Sequence, residues 1–188
     1  DRQWNYKDGL LSGAATGYFA GGGVKTECNY ERGKQQGLSR KYLEDGTLQT
    51  EAEYKDGKED GFLRVFKPVS GLVMECAMSG GEKNGVYREF HDNAKLKEEC
   101  YFKDGLRSGP SRQYSVDGTL AAELEFKDDL LDGTIRQYRP DGTLSDVLSY
   151  LKGKMEGACE HYDERGKLLY MRFYRDGEPA DGTPAAGK

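Results

Sequence analysis

GLSRKYLEDGTLQTEAEYKDGKED, residues 37–60, is the stretch whose reading decides the fold. It carries an aromatic at Tyr42, a turn signal at Asp45-Gly46, an aliphatic at Leu48, a second aromatic at Tyr54 and a second turn signal at Asp56-Gly57. The segments between turns run about 6 to 8 residues, a strand length and too short for a helix. Stepping outward in units of 24, Gly37 recurs as Gly13, Gly61, Gly85, Gly109, Gly133 and Gly157. Counting that glycine as position 0, position 5 is always Tyr or Phe, and position 11 is Val24 or Leu. Position 17 reads Tyr30, Tyr54, Met78, Phe102, Phe126, Tyr150 and Tyr174. The register holds without insertion, so residues 13–180 read as seven repeats, residues 1–12 as a partial one and residues 181–188 as a flexible tail.

Both turns read as three-residue hairpin loops whose third residue is left-handed, where glycine is least strained. Pro68 and Pro140, both at position 7, suit the first loop residue of a type I turn. With such loops, position 5 pairs with 11 and 17 pairs with 21, and all odd positions share one face. The expected fold is all-β: an elongated, single-layer antiparallel meander of tandem β-hairpins, about 15 strands in all. Each repeat buries its face only against its neighbours.

The runs Gly37-Tyr42-Gly46-Leu48-Tyr54-Gly57 and Gly133-Tyr138-Gly142-Leu144-Tyr150-Gly153 resemble the MORN repeat, in the shorter variant of bacterial YwqK-like antitoxins. The resemblance covers nearly the whole chain. It departs at Met78, at Ser70 and Ala94 in the first turn, and at Asp129 in the second. It implies a protein-binding role, including neutralisation of a toxin or secreted effector as an antitoxin or immunity protein. The alternative it implies is a membrane-lipid-associated or scaffolding repeat protein.

Composition narrows the function classes. Net charge is −5 with both signs interspersed, which leaves no basic footprint for nucleic acid or an anionic membrane. No apolar run approaches the roughly 18 residues of a membrane span. The chain starts at Asp1 and not at Met, so the native N-terminus is expected upstream. Cys28, Cys76 and Cys100 share position 15, about 10 Å apart or more between repeats, beyond the roughly 7 Å that a disulfide allows. Free thiols are compatible with a cytoplasmic or a periplasmic location. His91 and His161 lie at different repeat positions and far apart in sequence, which does not suit a zinc site or a His-based nucleophile. No catalytic residue, metal site or cofactor is therefore expected, and the chain reads as a binding protein and not an enzyme.

Two ladders recur: Arg40, Arg64, Arg88, Arg112 and Arg136 at position 3, and Glu27, Glu51, Glu75, Glu99 and Glu123 at position 14. The register above sets them on opposite faces, while a β-bulge between them would bring each Arg to a Glu. The informative departure is among the even positions, polar in the second and fifth repeats. In the third they become Leu63, Val65, Val73 and Ala77, and the fourth contributes Tyr87 and Tyr101. Apolar patches of this kind mark interaction sites. Leu63, Val65, Val73, Tyr87 and Tyr101, with Arg64, Arg88, Arg112 and Arg136 as polar anchors, are the expected partner-binding residues.

Overall fold

A computed structural model describes residues 1–180, so the tail expected at 181–188 lies outside the described residues. The chain is all-β and antiparallel, and it divides into two compact units at Ala94/Lys95, within each of which the strands from Gly13 on pair with their neighbours in sequence. The first holds β1 (Arg2–Gln3), β2 (Tyr6–Lys7), β3 (Leu10–Leu11), β4 (Gly13–Tyr18), β5 (Val24–Glu31), β6 (Lys34–Tyr42), β7 (Leu48–Lys55), β8 (Lys58–Lys67), β9 (Gly71–Ser79) and β10 (Glu82–Phe90). The second holds β11 (Leu96–Lys103), β12 (Leu106–Tyr114), β13 (Leu120–Lys127), β14 (Leu130–Leu131), β15 (Gly133–Tyr138), β16 (Leu144–Leu151), β17 (Lys154–Met155), β18 (Gly157–Tyr162), β19 (Leu168–Arg175) and β20 (Glu178–Pro179). Two pairs of short segments are halves of one strand, β14 and β15 interrupted only at Asp132, β17 and β18 at Glu156, whereas β2 and β3 form a separate two-stranded sheet and β1 pairs with β4.

The first turn follows the sequence reading. Tyr42 pairs with Leu48, position 5 with position 11, around a loop that ends on left-handed Gly46, whose N–H donates to the Leu43 carbonyl at 3.0 Å. Immediately behind it comes a β-bulge, the alternative that the sequence left open between positions 3 and 14. Lys41 pairs with Thr50, so Gln49 at position 12 is an extra residue. The same shift recurs in the β4–β5, β8–β9, β12–β13, β15–β16 and β18–β19 hairpins.

The second turn departs from expectation. Lys55 pairs with Lys58, leaving a two-residue loop with φ of 51° at Asp56 and 84° at Gly57. Two positive φ values make it a type I′ turn, whose twist matches that of the flanking strands. Tyr54 therefore pairs with Glu59, position 17 with 22 and not with 21.

Each departure shifts the side-chain parity once. Because successive side chains alternate between faces, positions 13 to 18 turn over relative to expectation, and the second shift restores phase for the next strand. Positions 3, 5, 11 and 14 share one face; positions 2, 4, 13, 15 and 17 share the other. The expectation that all odd positions lie together is corrected accordingly: the aromatic at 17 faces away from the aromatic at 5.

Burial separates the two faces. Ala15, Ser39, Ala52, Cys76 and Met78 are the buried side chains of the first unit. Glu98, Cys100, Ser111, Ala122, Ile135 and Cys159 are those of the second. Every one of them occupies position 2, 13, 15 or 17. We call this the inner face and the other the outer. The four cysteines form no disulfide.

Candidate interaction site

On the outer face the two ladders meet. Arg40 Nε lies 3.0 Å from Glu51, Arg64 bridges Glu51 at 3.5 Å and Glu75 at 3.4 Å, and Arg88 returns to Glu75 at 3.1 Å. In the second unit Arg112 lies 3.3 Å from Glu123. The position 5 tyrosines close the pattern: the Tyr42 hydroxyl donates to Glu27 at 2.7 Å, and Tyr138 donates to Glu123 at 2.9 Å. The Tyr138 hydroxyl, then Arg112 and Arg136, hold the Glu123 carboxyl below the usual carboxylate range. The bulge the sequence left open is thus present. Arg64 also lies over the Phe62 ring at 4.4 Å.

These contacts place the arginines expected as anchors. Arg64, Arg88 and Arg112 are held by carboxylates of their own sheet, and Arg136 stands opposite Glu123 in register. All four occupy the outer face. Of the apolar residues, Leu63 and Tyr87 sit on the inner face, both opposite Cys76, and Val65 sits beside them opposite Met74. Three strands, β8, β9 and β10, thus bring Leu63, Val65, Met74, Cys76, Met78 and Tyr87 into one inner cluster. Cys76 Sγ approaches Met78 Sδ at 3.5 Å, and Lys83 Nζ lies 4.7 Å from the Tyr87 ring centre. Val73 is the extra residue of the β9 bulge. Tyr101 falls on the outer face of β11, in the second unit, and is 39% exposed. The nine residues therefore divide between faces, and Leu63, Val65 and Tyr87 are the ones gathered together.

The inner face of the second unit carries polar groupings that sequence reasoning did not assemble. Glu98, at position 13, is buried and held by Arg107 through two contacts of 3.1 and 3.2 Å. It also accepts from Ser111 at 3.3 Å and Gln113 at 3.5 Å. Arg107 in turn lies 5.3 Å from the Phe126 ring centre. Further along the same row, His161 Nδ1 contacts Asp146, and its ring stacks on Tyr170 at 4.3 Å. The signal was available at position 13, which reads Thr26, Thr50, Met74, Glu98, Ala122, Asp146 and Tyr170. A position that changes chemistry in nearly every copy is not part of the scaffold pattern.

Tandem antiparallel hairpins, tied on one face by a recurring Arg–Glu ladder, define the class of a β-hairpin repeat protein. A family model described as MORN repeat variant matches residues 35–56, 83–104 and 155–176. The three matches begin two and three repeats apart, in the phase found from the glycines. MORN repeats are generally protein- or lipid-binding motifs. No curated protein matches the chain.

Proposed function

We propose that this chain is a non-catalytic protein-binding repeat protein that acts as an antitoxin or immunity protein, occluding a toxin or secreted effector by direct contact. The observation that carries the reading is the inner cluster of Leu63, Val65, Met74, Met78 and Tyr87. It interrupts a face that is small or polar in the preceding repeat, at Ser39, Lys41, Thr50 and Ala52. Rigid aromatic and aliphatic side chains gathered on one surface form the centre of a typical protein interface, with polar groups at its rim. The arginines of the outer ladder support the scaffold in this reading, and Leu63, Val65 and Tyr87 make the contact.

The test is co-expression. Products of the genes flanking this one are expressed singly and together with this chain, and growth is followed. Rescue by this chain, a co-eluting complex, and loss of both in Leu63→Glu are the expected results. In calorimetry with that partner, Tyr87→Ala should weaken binding about fivefold or more, on the order of 1 kcal/mol, while Arg136→Ala leaves affinity unchanged. Absence of any toxic neighbour, with co-sedimentation on anionic vesicles instead, would replace this reading by the lipid-associated one.

A further inference from the structure

The inner face has a second departure, opposite in kind to the apolar cluster. At positions 2, 4, 13 and 15 the third repeat carries Leu63, Val65, Met74 and Cys76. The first repeat carries Ala15, Gly17, Thr26 and Cys28 at the same places. Four small side chains leave room beside β4 and β5, and a hollow of about 360 Å³ opens there. That lies within the range of roughly 300 to 1,000 Å³ in which small-molecule sites fall. Trp4 and Tyr30 wall it, their rings stacked at 6.1 Å between centres.

The polar groups around this hollow are unevenly charged. Arg2 and Lys25 both line it, Arg2 over the Trp4 ring at 5.6 Å and Lys25 over the Phe19 ring at 5.5 Å. Among the described residues neither takes part in an ion pair. Against these two cations the lining sets one carboxylate, Asp1. The contrast with the outer face is plain, where every ladder arginine has a glutamate partner or faces one in register. Ring walls supply stacking area, and the surplus cation supplies attraction for a single negative charge.

We propose that this hollow is a binding site for a small aromatic carboxylate, its ring against Trp4 and Tyr30 and its carboxylate facing Arg2 and Lys25. The site is separate from the Leu63–Tyr87 cluster and does not rest on the protein-binding reading.

Trp4 is the single tryptophan of the chain, so its emission reports on this site alone. The full chain is titrated with phenylacetate and, separately, with phenethylamine, which keeps the ring and reverses the charge. A saturable change in Trp4 emission with phenylacetate, half-complete below about 1 mM, and none with phenethylamine is the expected result. Amide shifts of Ala15, Gly17 and Cys28, followed by NMR in the same titrations, give a readout that does not depend on quenching. Arg2→Gln combined with Lys25→Gln, at exposed positions, should weaken phenylacetate at least about fivefold, and Ala15→Leu, which fills the hollow, should abolish the response. Thermal melting verifies that each variant is folded. An equal response to the amine, no response to phenylacetate in either readout, or unchanged affinity in the doubly substituted chain overturns the proposal.

Discussion

Two adjacent rows of the same strands, one on the outer face and one on the inner, obey different rules. Position 14 is Glu five times on the outer face; position 13, next to it in the chain and facing inward, takes seven residues of six kinds. Ion pairs occur on both. Outside they form a repeating ladder, with Arg112 53% exposed at its pair with Glu123. Inside, among the described residues, there is one buried carboxylate, Glu98, held by Arg107 and two further donors. Constancy marks the residues that pair strand to strand in every repeat. Variation marks residues that serve one place in the array.

The sharpest way to break this comparison is to cut one ion pair on each face. Glu98→Ala strands Arg107 beside an emptied buried site, and removal of one partner of a buried pair is strongly destabilising. Arg107 keeps about a third of its exposure, so we expect a loss of about 2 to 3 kcal/mol in denaturant unfolding. Arg112→Ala should cost about 0.2 to 1 kcal/mol, the range of exposed pairs. Equal losses would mean that the two faces do not differ energetically.

Next in size is the glycine at position 0. Gly61 has φ of 124°, and a Cβ there would lie 2.3 Å from a Glu53 carboxylate oxygen and 2.9 Å from Glu53 Cβ. Gly46 in the first turn has φ of 83° and open space around it. Gly61→Ala should therefore lose about 1 to 3 kcal/mol and Gly46→Ala about 1 kcal/mol, read from paired thermal melts. The reverse order would show that the turn glycine, not the one at position 0, is the more demanding site.

The smallest effect belongs to the loops. The Ser115 hydroxyl and then the Thr119 N–H hold the Asp117 carboxyl to about 2. A folded value below the unfolded one, about 3.9, means that its contribution is present above pH of about 4 and is lost as pH falls towards 2. Asp117→Asn should flatten the acid limb of melting temperature against pH in that window. An unchanged limb would assign acid sensitivity to other carboxylates, Glu123 first.

Much of this architecture was legible beforehand, for physical reasons that differ by element. The period, the aromatics at 5 and 17 and the pairing of 5 with 11 follow from spacing, and Pro140 and Gly142 mark the first turn unambiguously. The second turn was not legible, because Asp-Gly suits both a two-residue and a three-residue loop. A bulge between the Arg and Glu rows was left open, but its place at position 12 was hidden for another reason: Lys25, Gln49, Val73, Ala121, Ser145 and Leu169 share no chemistry. Missing one shift in each strand pair turned the faces over. Leu63, Val65 and Tyr87 were found as a set because they lie on strands that keep their phase. Tyr101, on a strand that does not, was attached to the wrong face, and the buried Glu98 was overlooked.

The two one-residue shifts in each repeat behave like paired frameshifts. Either alone would invert every side chain beyond it, sending the Glu ladder inward and the Cys and Ala row to solvent. Together they restore the frame every 24 residues. Such an array tolerates gain or loss of whole repeats, which leaves the ladder in phase, and resists the single-residue insertions that most surface-loop proteins accept. Its length is free to change while its two faces are not.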